Sequence, residues 1–207
     1  GWNDANCTCS VSSAFSWLEN RLSFHPTKAT LVHRPKMTRY YMNLLKGLIF
    51  FTTLFALSRI IPHPPNFTPL ISGAIFLPYL FEDKKLVMLL PVVTMFVADI
   101  FLGFHGLMIW TYGAFLMIGL LSFNYFKFKP TSIFILSILS PSVFFLITNF
   151  GVWLGSEFYS QSVEGLIASY IMGLPFYANS LTSTALFSAS FYVVISAAST
   201  LSFLKKR

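Results

Sequence analysis

The sequence predicts an all-α fold, an integral membrane bundle of six transmembrane helices with both termini cytoplasmic, and three observations predict it. Hydrophobic residues make up 55% of the chain and charged residues 10%, with a mean hydropathy of +0.68, whereas about a quarter of a soluble domain is charged. Apolar runs follow one another from Leu44 to Leu204 with short polar breaks between them. The basic residues fall in alternate breaks, a periodic signal that a buried soluble core does not produce.

A window of roughly 19 residues places the spans near 44–61, 68–81, 86–104, 107–126, 131–154 and 178–203. The second is too short for a straight crossing and reads as a tilted or broken helix. The stretch Leu166 to Phe176 is also apolar, but it is short and carries Gly173 and Pro175. It reads as a re-entrant or surface segment packed against protein, with a seventh crossing as the alternative. Pro91 and Pro141 fall within the third and fifth spans, where kinks are expected.

Orientation follows from charge, because Lys and Arg are retained on the cytoplasmic side during insertion. Arg34, Lys36, Arg39 and Lys46 mark the start of the first span. Lys84 and Lys85 separate the second from the third, Lys127 and Lys129 the fourth from the fifth, and Lys205, Lys206 and Arg207 follow the sixth. In a six-span arrangement all of these lie on one side. The opposite loops hold Arg59, His63, His105, Glu157 and Glu164. The net charge of +7 is thus spent at membrane boundaries, where it attracts anionic lipid, and forms no continuous basic face for nucleic acid.

Residues 1–36 are polar and lack the apolar core of a signal peptide. They read as a disordered tail or as upstream sequence read through, with the six-helix domain occupying residues 37–207. Cys7 and Cys9 lie in this segment without the further ligands a four-coordinate metal site needs.

Asp99 is the only acidic residue within a span, and a carboxylate at a helix centre costs about 2.5–3.5 kcal/mol on insertion scales. It belongs either to a structural ion pair, with Arg59 as the sole cation at the outer ends, or to a ligand or ion site. Between them in sequence runs Pro62-His63-Pro64-Pro65-Asn66-Phe67-Thr68-Pro69, a connector that its prolines stiffen. Asn66 or Thr68 is expected to cap the second helix. Asn66-Phe67-Thr68 also matches a glycosylation acceptor. In the fifth span Asn149 and Trp153 are four apart and share a face. An amide beside an indole suits a planar polar ligand, or else an interhelical bond and an interfacial anchor. No Ser, His and acid arrangement beyond chance, no metal cluster and no phosphate loop competes with these groups, so no enzyme and no cofactor is expected, and uptake would draw on an ion gradient or a separate motor.

Arg59, the Pro-Pro-Asn-Phe-Thr-Pro loop at 64–69, Asp99 with Leu102 and Gly103, Thr148-Asn149-Phe150 with Trp153, Gly165-Leu166, Tyr170, Gly-Leu-Pro-Phe at 173–176 and Asn179 together resemble an uncharacterised family of small bacterial six-helix membrane proteins. That family is similar to the substrate-binding S components of energy-coupling-factor transporters for vitamins and metals. The resemblance covers roughly residues 44–203. It implies an inner-membrane subunit that captures a small molecule at the outer helix ends and works with a transmembrane coupling partner driven by ATPases. The first span departs from S components, which present a small-residue face there, because Leu44 to Ala56 is mostly bulky. On this reading the ligand site comprises Arg59, Asn66, Asp99, Asn149, Trp153, Tyr170 and Asn179. The alternative is an accessory or scaffold subunit of a membrane complex, with Asp99 and Arg59 a buried structural pair.

Overall fold

The computed structural model describes residues 45–81, 83–155 and 157–204, with side chains to 197. The expectations for residues 1–36, for Cys7 and Cys9, and for the terminal basic cluster lie outside the described residues. The described chain is all helical, without a strand: α1 (45–60), α2 (Leu70–Leu80), α3 (Lys84–Leu102), α4 (Met108–Tyr125), α5 (Pro130–Gly155) and α6 (Val163–Leu204).

Local chemistry sets most of these boundaries. Asp83 caps α3, its carboxylate accepting from the amides of Lys85 at 2.7 Å and Leu86 at 3.4 Å. Lys84 then rests over the Phe123 ring, 5.1 Å from its centroid. The helix stops at Gly103, whose φ of 95° is open to glycine and strained for other residues. Pro130 begins α5, a position where the missing amide costs nothing. Ser132 secures the preceding turn: its Oγ donates to the Tyr125 carbonyl and accepts from the Lys127 amide, both at 3.0 Å. Asn66 and Thr68 do not cap α2 as the sequence suggested. The cap position is Pro69, and no side chain bonds the first turn.

The second span, weakest in the sequence, is the centre of the structure. Every residue of α2 from Leu70 to Leu77 is buried, and the helix packs on α3, α4, α5 and α6. Gly73 presses so closely on the Phe55 ring of α1 that a Cβ there would overlap it. Ser72 Oγ donates to the Thr184 carbonyl at 3.0 Å, and Phe76 meets Phe191 edge to face at 5.7 Å. Eleven residues rise roughly 16 Å, about half the bilayer core of roughly 30 Å. A short helix is tolerated because protein surrounds its Leu70–Leu77 stretch.

Four helices, α3 to α6, are long and apolar enough to cross a membrane. Their outward faces carry Ile109, Phe134, Val193 and Val194, each more than 60% exposed, a surface suited to acyl chains and costly in water. Residues 166–176 are not a separate re-entrant segment, and no turn exists there for a seventh crossing. They open the 42-residue α6, which rises roughly 63 Å. Pro175 is accommodated within it because the preceding turns are bound laterally to α5. Ser169 Oγ donates to the Asn149 carbonyl at 3.4 Å and Tyr170 Oη to the Leu146 carbonyl at 3.0 Å. Tyr177 and Ser142 share a hydrogen bond of 2.9 Å.

Two glycines of α4 test the packing. A Cβ on Gly119 would stand 2.9 Å from Met88 Cα and 3.2 Å from the Val87 carbonyl oxygen, whereas nothing lies within 4 Å of one on Gly113. Gly119→Leu is expected to destabilise by about 1–3 kcal/mol, and Gly113→Ala to stabilise by up to about 1 kcal/mol through helix propensity. Thermal unfolding in detergent should therefore move in opposite directions for the two. A lower midpoint for both would contradict the open space at Gly113.

Candidate functional site

Asp99 sits in the last turn of α3 with only 1% of its side chain exposed. Both its oxygens are committed. Oδ1 accepts from Arg59 Nη1 of α1 at 2.7 Å, and Oδ2 accepts from Tyr112 Oη of α4 at 2.8 Å. Arg59 Nη1 also approaches the Met95 carbonyl at 3.5 Å. The structure thus forms the ion pair that the sequence allowed and ties three helices through one carboxylate. Tyr112 was not singled out in the sequence, because a phenol near a span end reads equally as an interfacial aromatic. Arg59 retains 19% exposure and lines a cavity.

The wall of that cavity begins with the connector after α1. The Phe67 amide bonds the Pro64 carbonyl at 3.0 Å, closing a turn with Pro65 and Asn66 at its centre. Asn66 has φ of 63°. Proline fixes a negative φ at the first central position, so this is a type II turn, where asparagine tolerates the positive φ of the second. Successive positions of α6 hold the turn. Asn179 Nδ2 donates to the Pro65 carbonyl at 3.0 Å, Ser183 Oγ to the Asn66 carbonyl at 3.4 Å, and Phe187 faces Phe67 at 6.0 Å. The spacing of four residues puts all three on one helix face.

Bounded by this connector and by α1 to α6 is an open cavity of about 320 Å³. Arg59, His63 and His105 reach it, together with Asn66, Thr68, Thr111 and Ser180, while Met95, Phe115 and Phe144 supply apolar wall. Leu70 and Ile71, the first turn of α2, close one side. Among the described residues no carboxylate lines it. A second cavity of about 310 Å³ shares Asn66 and is lined otherwise by neutral groups, among them Thr148, Asn149, Tyr159 and Ser169. Asn149 Nδ2 donates to its own helix at the Phe145 carbonyl, 2.9 Å away. Its carboxamide lies against Gly173, where any Cβ would overlap it.

Of the residues expected to form one site, Arg59 and Asn66 line the first cavity and Asp99 stands behind its wall. Asn149 lines the second cavity. The remaining three hold backbone. Trp153 Nε1 donates to the Ser160 carbonyl at 3.0 Å while its own carbonyl accepts from Gln161 Nε2 at 2.8 Å, so it clamps the turn between α5 and α6. Tyr170 joins α6 to α5, and Asn179 holds the turn at Pro65. Glu157 and Glu164 line neither cavity. Among the described residues, no group of three or more His, Cys, Asp or Glu is placed to hold a metal ion.

Four apolar helices long enough to cross a bilayer, among described residues that are all helical, define a membrane protein of the multi-pass helical class. Residues 41–204 match a family of unknown function, DUF6580, and the chain belongs to that family. Neither a curated protein nor a solved structure matches it.

The ion-pair geometry predicts an asymmetric mutational response. Arg59→Leu leaves the enclosed Asp99 carboxylate without its cation and is expected to cost about 3–5 kcal/mol. Tyr112→Phe removes one hydrogen bond and should cost about 1–3 kcal/mol. Asp99→Asn, which frees an arginine already open to the cavity, should fall below Arg59→Leu. Denaturation midpoints of the three variants check the ranking, and an Asp99→Asn protein less stable than Arg59→Leu would be inconsistent with it.

Proposed function

We propose that this chain is a small-molecule capture and uptake subunit that crosses the membrane six times, with both termini cytoplasmic and the cavity beside Arg59 open to the opposite side. The observation that carries this reading is the cavity itself, enclosed by a stiff turn anchored through Asn179 and Ser183 and backed by the Arg59, Asp99 and Tyr112 network. An accessory or scaffold subunit has use for the ion pair but none for a recess of mixed polar and apolar lining beside it.

Charge supports the orientation. Lys84, Lys85, Lys127 and Lys129 lie at the helix ends remote from the cavity, where Tyr79 stacks on Phe128 at 4.8 Å and Phe76 meets Phe126 at 5.4 Å. Basic ends are retained in the cytoplasm. The short α2 explains how the recess arises: it leaves the other half of the bilayer depth, between α1, α3 and α4, to be filled by the connector and a ligand. A binding subunit of this kind supplies recognition alone, and the resemblance to S components is what supports an energy source in a separate coupling subunit with ATPases.

Native mass spectrometry of the full chain in mild detergent, after exposure to a cell extract, tests the reading. A discrete adduct is expected, and Thr111→Trp, which puts an indole in the cavity and replaces no member of the Asp99 network, should abolish it while leaving the thermal midpoint within a few degrees. A bare protein in every extract would move the assignment to the accessory subunit.

A further inference from the structure

We infer that the captured molecule is a small oxyanion, a carboxylate or a phosphate ester, whose charged group docks on the free edge of Arg59; this rests on the capture reading above. Four observations converge on it. Arg59 carries five N–H donors in a planar fork, and the bonds it makes, to Asp99 and to the Met95 carbonyl, both leave from Nη1. Nε and Nη2 remain for the cavity that Arg59 lines. That edge matches a carboxylate or phosphate with two parallel hydrogen bonds, and it is held in place by the pairing behind it.

Asp99 does not cancel the attraction. Its two oxygens are occupied, its side chain is 1% exposed, and a ligand anion in the cavity stands nearer the guanidinium than the carboxylate behind it. The other ionisable groups on the wall are the imidazoles of His63 and His105, and among the described residues no acid lines the space. A cationic ligand would meet no counter-charge.

The first turn of α2 adds backbone donors. Its first helical bond runs from the Gly73 amide to the Pro69 carbonyl at 2.8 Å, so the amides of residues 70–72 have no helical acceptor, and no side chain caps them. Leu70 and Ile71 of that turn line the cavity. An uncapped helix start buried halfway through a membrane domain favours negative charge. The neighbouring cavity provides the contrast: Asn66, Thr148, Asn149, Tyr159 and Ser169 offer it hydroxyls and amides with no cation. The anionic group is thereby assigned to the Arg59 side of Asn66. At about 320 Å³ the space is at the small end of ligand pockets. Met95, Phe115 and Phe144 give an apolar body something to pack on.

The test compares benzoate, phenyl phosphate, benzamide and benzylamine, which share a ring and differ in charge, by calorimetry on the full chain in detergent at constant ionic strength. Benzoate or phenyl phosphate is expected to bind at least tenfold more tightly than the other two, and which of them leads separates a carboxylic acid from a phosphate ester as the ligand. The double variant Arg59→Gln with Asp99→Asn keeps a neutral hydrogen-bonding pair and should lose at least tenfold in affinity for the anion. His105→Gln, which leaves the ion pair in place, should weaken it more modestly with the fold intact. Benzamide or benzylamine binding as tightly as the anions would overturn the inference. The adduct retained from cell extract decides the same point independently. An acid upholds the inference, a neutral or basic compound sinks it while the capture reading stands, and the lack of any adduct and of any probe binding removes both.

Discussion

A carboxylate enclosed among apolar helices must be answered by charge and hydrogen bonds, and the answer at Asp99 organises the rest of this protein. Burying an ion is expensive unless its lone pairs are satisfied. Here one oxygen is satisfied from α1 and the other from α4, while the residue itself sits on α3. The requirement fixes the relative positions of three helix ends to within a hydrogen bond's tolerance. It also holds Arg59 in place, because its Nη1 is committed to Asp99 and to the Met95 carbonyl. Arg59 thus serves as the partner of a buried carboxylate and as part of a cavity wall at once, so the ion pair posed by the sequence does not exclude the ligand site proposed above.

The shortness of α2 is the second constraint. A chain that ran straight across at this point would fill the recess with its own side chains. Instead Pro62, Pro64, Pro65 and Pro69 interrupt the helical path, α2 starts deep in the bundle, and its surroundings of α3 to α6 replace lipid. The backbone groups released by this arrangement are distributed with some economy: the turn carbonyls of Pro65 and Asn66 go to α6, and the early amides of α2 are left toward the cavity. Gly73 permits the close seat of Phe55, and Gly119 the close approach of α4 to α3.

Much of the helical fold was legible in the sequence. Five of the apolar runs correspond to α1 to α5 within a few residues, because hydropathy reports the solvent that each segment meets. The extent of α6 was not legible. Gly173 and Pro175 are helix breakers by local rule, and only the lateral bonds to Asn149 and Leu146 explain why the helix continues. Among site residues, the Asp99 and Arg59 pairing could be read because two lone charges in an apolar chain have few other choices. Asn179, Trp153 and Tyr170 stood out by polarity, yet each bonds backbone. Side-chain chemistry alone does not distinguish an amide that meets a ligand from one that meets a carbonyl. Tyr112 and the cavity-lining Thr111 and Ser180 gave no signal, since hydroxyls in membrane helices usually satisfy the preceding turn, as Thr111 and Ser180 themselves do.

The rungs from α6 to the Pro65 turn also carry a consequence for assembly. Asn179 and Ser183 lie 114 and 117 residues beyond the carbonyls they bind, and Thr184 receives Ser72 from 112 residues away. Chains emerge from the ribosome from the amino terminus at about 5–20 residues per second. The first hairpin therefore waits, for seconds to tens of seconds, before its last wall exists. During that interval the turn carbonyls are held only by what surrounds the nascent chain. The cavity bounded by this turn is accordingly closed only after the residues of α6 near 179–184 have been made.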